Sequence, residues 1–241
     1  MGKSFSKGLN KNKMSNLKII LKKASIIRSI YYNFKYLNFK QAIKLPIIIC
    51  NNTKIKGKGK IELEKNAKKI YIGEQTLKWC NPKREYTYIF LDKNSKLKLK
   101  NNVYIGLGTK IEISNHGICE IGENTVFTGK SNIICKNYIQ FNNNCLISWN
   151  TLFLDSDGHT IIKNNIANKL GKIIIKNKIW IGCNVTILKN TIIGSNSIIG
   201  ANSLIKGKFK NSNILIAGNP GIIIAKNIKW KIDEPKGENN G

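Results

Sequence analysis

The sequence predicts an all-β chain wound as a parallel β-helix, and three observations carry that prediction. The first is a strict period of six between Ile175 and Lys210, where isoleucine opens each block: Ile175, Ile181, Ile187, Ile193, Ile199 and Ile205. A helix repeats near 3.6 residues and a strand at 2, so neither explains the spacing. Three short strands per coil of about eighteen residues do, each coil burying its aliphatics against the next. The second observation is the residues between the isoleucines. Glycine follows at 182, 194 and 200, and small or β-branched residues recur at Val185, Thr191, Ser197 and Ser203. The third is a looser copy upstream: Ile121, Phe127 and Ile133, then a slip of two residues, then Phe141, Ile147 and Phe153.

Taken in order, residues 1–16 are polar and lysine-rich, a composition that buries little. From Leu17 the apolar residues Leu17, Ile20, Leu21, Ala24, Ile27 and Tyr31 fall on one helical face, with Lys18, Lys22 and Lys23 between them. A basic amphipathic helix has two readings, a cap on the open end of the solenoid or a surface that docks on a membrane. The cap is preferred, because an exposed sheet edge must be covered. Pro46 closes this segment, so 1–46 is expected as a basic, partly helical lead-in and 47–216 as the solenoid. From Ile47 period-2 strands follow, with Ile61/Leu63, Ile70/Ile72, Leu97/Leu99 and Ile111/Ile113 inward. Leu77 to Phe90 breaks the spacing and reads as a loop or a longer face. After Phe153 the period stops until Ile175, which makes 154–172 an outward loop, the kind of insertion that gathers on a binding face. Residues 217–241 comprise the turn AGNPG, an apolar stretch suited to capping, and a polar tail.

Composition narrows the function. The chain has 241 residues, 41 Lys+Arg and 13 Asp+Glu, for a formal charge of +28. That excess would suit nucleic acid, but only Arg28 and Arg84 are arginine and the lysines are scattered without a nucleic-acid motif. A solvated lysine coat is the reading, one that attracts anionic substrates and headgroups, with no nucleic-acid partner. The six cysteines form no CxxC pair or Cys/His cluster, so buried thiols in a reducing compartment and no metal are expected. The basic N-terminus lacks an apolar core and cleavage site, and the longest apolar run is too short to span a bilayer. The expected location is cytoplasmic, with peripheral contact at an inner membrane as its variant.

Three stretches carry a family resemblance: DSDGH at 155–159, WIGCNVTILKNTIIGSNSIIGANSLIKG at 180–207, and AGNPG at 217–221. They resemble the hexapeptide-repeat acyltransferases with a left-handed parallel β-helix, in particular the maltose/galactoside O-acetyltransferase-like branch that decorates bacterial capsules and lipooligosaccharides. The resemblance implies acetyl-CoA as co-substrate, a sugar hydroxyl as acceptor, and a homotrimer with active sites at subunit junctions. It implies His159 as the general base; a neutral imidazole suits proton abstraction near pH 7. The other histidine, His116, reads as a turn residue. Asp155 and Asp157 are candidate catalytic partners, one to orient the imidazole and one to hold a sugar hydroxyl, with Asp157 favoured for the acceptor. Asn150 and Trp149 are candidates for the same pocket, Trp149 as a stacking face for a sugar ring. Matched to the family motif, Cys183, Gly200, Ala201, Ser203 and Lys206 would contact CoA. The chain departs from relatives that place arginines beyond AGNPG for the CoA phosphates; Ile222 and Ala225 stand there, and Lys226 or Lys229 would substitute.

The competing readings are an acetyltransferase for a small metabolite, amino sugar or antibiotic, and a non-enzymatic solenoid scaffold. A zinc-dependent anhydrase on the same helix needs three histidine ligands, and the chain has two histidines.

Overall fold

The computed structural model describes residues 25–231, apart from 51, 66, 161, 164, 165, 168 and 169, and of 163, 166 and 167 the backbone only. The expected start of the helix at Leu17 lies outside the described residues. The chain winds as a left-handed parallel β-helix with three faces. The first face has nine strands, from Ile47–Ile49 to Ile214–Gly218 with a final antiparallel return, Gly221–Lys226. The second has seven, from Thr53–Gly57 to Leu204–Ile205, and the third seven, from Lys60–Leu63 to Lys208–Phe209. Each strand pairs in parallel with its equivalents one coil away, so every coil visits faces one, two and three in turn.

The period of six is the distance between adjacent faces. Ile175, Ile181, Ile187, Ile193, Ile199 and Ile205 are all fully buried, as are Thr191 and Ser197. Burying an isoleucine side chain contributes about 1.5–3 kcal/mol, and stacking aligns these columns along the solenoid. In the middle coils Phe127, Phe141 and Phe153 replace aliphatics, with edge-to-face contacts of 5.0 and 4.8 Å between ring centroids. The slip of two residues also has a cause. Cys135 extends the second-face strand Asn132–Cys135 inward, and the turn to the third face is made by Lys136 and Asn137 before Tyr138–Phe141 begins. The corner between faces two and three takes extra residues in both of these coils, as the corner between faces one and two does earlier, over 75–86. Ile147 pairs with Ile181, 34 positions on, whereas Ile181 pairs with Ile199, 18 on.

The corners explain the abundance of asparagine. Among the described residues, twelve of the seventeen non-glycine residues with positive φ are Asn, the side chain that adopts the left-handed region at low cost. Between faces three and one they also form a ladder, Asn102 Nδ2 donating to Asn124 Oδ1 at 2.8 Å and Asn124 Nδ2 to Asn144 Oδ1 at 3.1 Å. The stretch Leu77–Phe90 divides: its last four residues belong to the second-face strand Thr87–Leu91, and the loop before it packs Trp79 edge-to-face on Trp149 at 6.1 Å. A helix, Ile26–Tyr36, and a short one, Phe39–Ala42, precede the first coil. Among the described residues no helix is long and apolar enough to cross a membrane.

Candidate functional site

The one large excursion at the corner between faces two and three is 155–171, and its feet are tied to the coils. Gly171 N donates to Asp155 O at 2.9 Å, and Asn137 Nδ2 donates to Gly171 O at 2.7 Å. Gly171 has no room for a side chain, since a Cβ would stand 2.5 Å from Lys189 Cβ. Beyond the feet a two-residue antiparallel ladder, Ile162–Lys163 with Ile166–Ala167, shapes the tip. Asp157, Gly158, His159 and Thr160 are all exposed, and Gly158 turns at φ +77° in open space.

Asp155 is not placed for acid–base work. It is fully buried, Oδ1 accepts from Lys136 N and Oδ2 from Asn137 N and Tyr138 N, each at 2.8 Å. A carboxylate satisfied by three amides is an anchor, and it caps the turn that the two extra residues created. Expected as a catalytic partner, Asp155 has both oxygens engaged by the preceding coil. Burial pushes the nearby Cys135 and Cys119 thiols upward, Cys135 further through Cys119 and Asp155, so both stay neutral beside that anchor.

Asp157 differs. It is exposed, and Oδ2 pairs with Lys189 Nζ of the next coil. Lys189 is only 9% exposed, and sequence reasoning missed it. Register reveals it: Leu154 pairs with Leu188, so Lys189 follows Asp155 by one full coil. Ser156 is also buried, and its Oγ has no hydrogen-bond partner among the described residues.

The other candidates sort by corner. Trp149 and Asn150 lie between faces one and two, separated from Asp155 by the strand Leu152–Leu154. Five extended residues span about 16 Å, so within one chain they stand a strand's length from the foot of the His159 excursion. Trp149 instead packs on Trp79, and Asn150 makes the turn at φ +56°. Cys183, Gly200, Ala201 and Ser203 stack along that same corner. Cys183 is half-buried and Ala201 exposed. Ser203 is committed to the fold, Oγ donating to Gly200 O at 2.7 Å and accepting from Gly218 N at 3.1 Å. Gly200 is likewise structural, as a Cβ would sit 2.9 Å from Ala217 Cβ. Lys206 belongs to the His159 corner, following the strand Leu204–Ile205. Lys226 pairs with Ile214, at the far end of its strand from the Ala201 corner; both lysines are exposed. His116 turns at φ +63° on the His159 corner, two coils earlier. No group of three or more His, Cys, Asp or Glu fit to hold a metal occurs among the described residues.

Against known proteins, residues 172–207 match the family described as bacterial transferase hexapeptide (six repeats). The chain is 29% identical over 199 residues to an uncharacterized 24.8 kDa protein in the cps region of Klebsiella pneumoniae, covering 82% of this chain and 87% of that one. It is 34% identical over 146 residues to the polysialic acid O-acetyltransferase of Escherichia coli O1:K1 / APEC, covering 59% of this chain and 44% of that protein. The match therefore spans less than half the length of that curated relative. Among solved structures, the polySia-specific acetyltransferase NeuO aligns with a TM-score of 0.50 at 23% identity over 80% of this chain and 81% of its own. The polysialic acid O-acetyltransferase OatWY aligns at 0.52 and 21% identity, over 77% and 93%. Both likenesses speak to the fold.

Proposed function

We propose that this chain, which belongs to the bacterial hexapeptide-repeat transferases, is an acetyl-CoA-dependent O-acetyltransferase for a surface glycan. The observation that carries the reading is His159, exposed on the long excursion 155–171, whose feet are fixed by Asp155, Asn137 and Gly171. A pure scaffold gains nothing from an excursion pinned by a buried carboxylate at its base. The imidazole takes the proton of the acceptor hydroxyl as that oxygen attacks the thioester carbonyl, and returns it to the departing CoA thiolate. Such a base contributes about 10²–10⁴-fold.

Asp157, tied to Lys189, is the side chain best placed to orient the acceptor or the loop itself. For CoA, the fit is good at the corner between faces one and two. Ala201 is exposed, Cys183 is half-buried, and Gly182 brings the coils close, a Cβ there standing 2.7 Å from Ala201 N. That leaves an unobstructed wall for a pantetheine arm, with the exposed Lys206, Lys226 and Lys229 as candidate phosphate partners. Since the two corners lie about 16 Å apart on one chain, a homotrimer that juxtaposes them at a subunit junction completes the site. The acceptor inferred is acidic: the formal charge of +28 favours a polyanion, and one relative is named for polysialic acid. His159→Ala is expected to abolish acetyl transfer while CoA binding by titration calorimetry and assembly survive. Full activity in that variant would remove the base from His159. Mass spectrometry of surface glycans with and without the gene identifies the acceptor.

A further inference from the structure

The helix Ile26–Tyr36 is amphipathic with its faces reversed. Its buried strip is the polar one, Ser29, Tyr32 and Asn33. Ser29 Oγ accepts from Ile49 N at 2.9 Å, Asn33 Oδ1 accepts from Ile47 N at 3.2 Å while its Nδ2 donates to Ile47 O at 2.7 Å, and Tyr32 Oη accepts from Ile55 N at 3.1 Å. These are the edge amides and carbonyl of the first coil, which has no preceding coil to pair with. Capping an open sheet edge with side-chain hydrogen bonds is the cheap solution, and it turns the aliphatic residues outward. Ile27 is 82% exposed, and Ile26, Ile30, Tyr31 and Phe34 are exposed with it. Phe39, 69% exposed, packs edge-to-face on Phe34 at 6.0 Å, so the second helix extends the same patch.

An apolar patch of this kind marks an interaction surface, and charge identifies the partner. Arg28 and Lys35 on the first helix, Lys40 on the second and Lys44 just past it are exposed with the patch. The first 61 residues contain fourteen lysines and one arginine and no acidic residue, Glu62 being the first. A second copy of the chain would set these like charges face to face, which is unfavourable. Anionic headgroups would neutralise them while acyl chains receive the aliphatics. We propose that this end of the solenoid seats on an anionic lipid bilayer. Capping and docking are then one design, polar side chains to the coil and apolar ones to the membrane. The strand spacing of about 4.8 Å per coil puts the corner of His159, four coils from the first, some 20 Å beyond the capped end. The inference stands apart from the catalytic reading, since a chain without transferase activity would still bind vesicles.

Flotation of the full chain with phosphatidylcholine vesicles, with and without phosphatidylglycerol, tests it. Binding is expected only with phosphatidylglycerol, weakened by salt and reduced on the order of tenfold in Ile27→Asp/Phe34→Asp. Arg28→Glu/Lys35→Glu, which leaves the apolar patch intact, should also lose binding. Light scattering should give every variant the wild-type mass. No binding to anionic vesicles, or undiminished binding in both double variants, overturns the proposal. A drop in oligomer mass on replacing Ile27 and Phe34 also overturns it, in favour of a second copy on this face.

Discussion

Replacing Asp155 with asparagine tests whether the excursion is held by its buried carboxylate. Asp155 receives three amide hydrogen bonds at 2.8 Å and is fully buried. Asparagine keeps the shape but has one acceptor oxygen. Turned to serve Asn137 and Tyr138, it aims its NH₂ at Lys136 N and leaves that donor unpaired, at a cost of about 1–3 kcal/mol. The two remaining bonds lose their charge, each by about 1 kcal/mol. The neutral amide is cheaper to bury than a carboxylate, which offsets part of the sum. The expected net loss is about 2–4 kcal/mol, or a melting temperature lower by about 10 °C for a chain of this size. Thermal and urea unfolding at one fixed protein concentration measure it, because the proposed assembly would make the midpoint concentration-dependent. A variant within about 0.5 kcal/mol of wild type, the scatter of ordinary surface changes, would refute the anchor. Loss of transfer with stability unchanged would return Asp155 to the chemistry.

Three further outcomes are expected. Gly171→Ala should destabilise by about 1–3 kcal/mol because its Cβ meets Lys189 at 2.5 Å, whereas Gly158→Ala, at φ +77° in open space, should cost about 1 kcal/mol of backbone strain; equal melting shifts would contradict the packing. Burial holds the Cys119, Cys135 and Cys145 thiols above the ordinary range, Cys145 at about 12. The folded chain then keeps protons that the unfolded chain loses, so stability is full below about pH 8.5 and falls above it, the slope approaching about 4 kcal/mol per pH unit. Denaturation from pH 7 to 10 reads this, and in the native state a thiol reagent should modify Cys183 first, more slowly with CoA present. Finally, His159→Ala and Ala201→Trp, each inactive alone, should recover about a quarter of wild-type activity when refolded together, if a random C3 mixture draws the two corners from adjacent subunits. No recovery would put both corners of each site on one chain.

The repeat was legible because burial wrote it directly into the side chains. Ile175 to Ile205 mark faces, and the small residues between them mark the inward turns. The location of His159 was legible for the same reason in reverse, since an excursion appears as silence in the period. Lys189 was not. Its link to Asp157 crosses one coil plus the whole excursion, 32 positions, and no local pattern encodes that. Asp155 misled because DSDGH reads as one polar motif, while the backbone buries Asp155 and exposes Asp157. The corner role of the asparagines shows only in their φ values.

The place of Trp149 and Asn150 follows from the geometry of the coil. In a three-faced coil, residues share a corner when they are separated by whole coils, about eighteen positions plus whatever the corner has absorbed. Five positions separate Asn150 from Asp155, the foot of the His159 excursion, so the two stand at opposite ends of the strand Leu152–Leu154. The same rule separates Ala201 from Lys206, five positions apart and at opposite ends of one strand, and joins Asp155 to Lys189. Lys226 apart, it divides the candidate residues into two columns on the two edges of the second face, one carrying His159 and the other Cys183 and Ala201. Each column is complete along the solenoid, and neither reaches the other within a chain. Threefold closure brings unlike corners of neighbouring prisms together. If the proposed trimer forms the site, transfer depends on assembly as directly as on His159, and a variant that frees the monomer should lose transfer with its site residues unchanged.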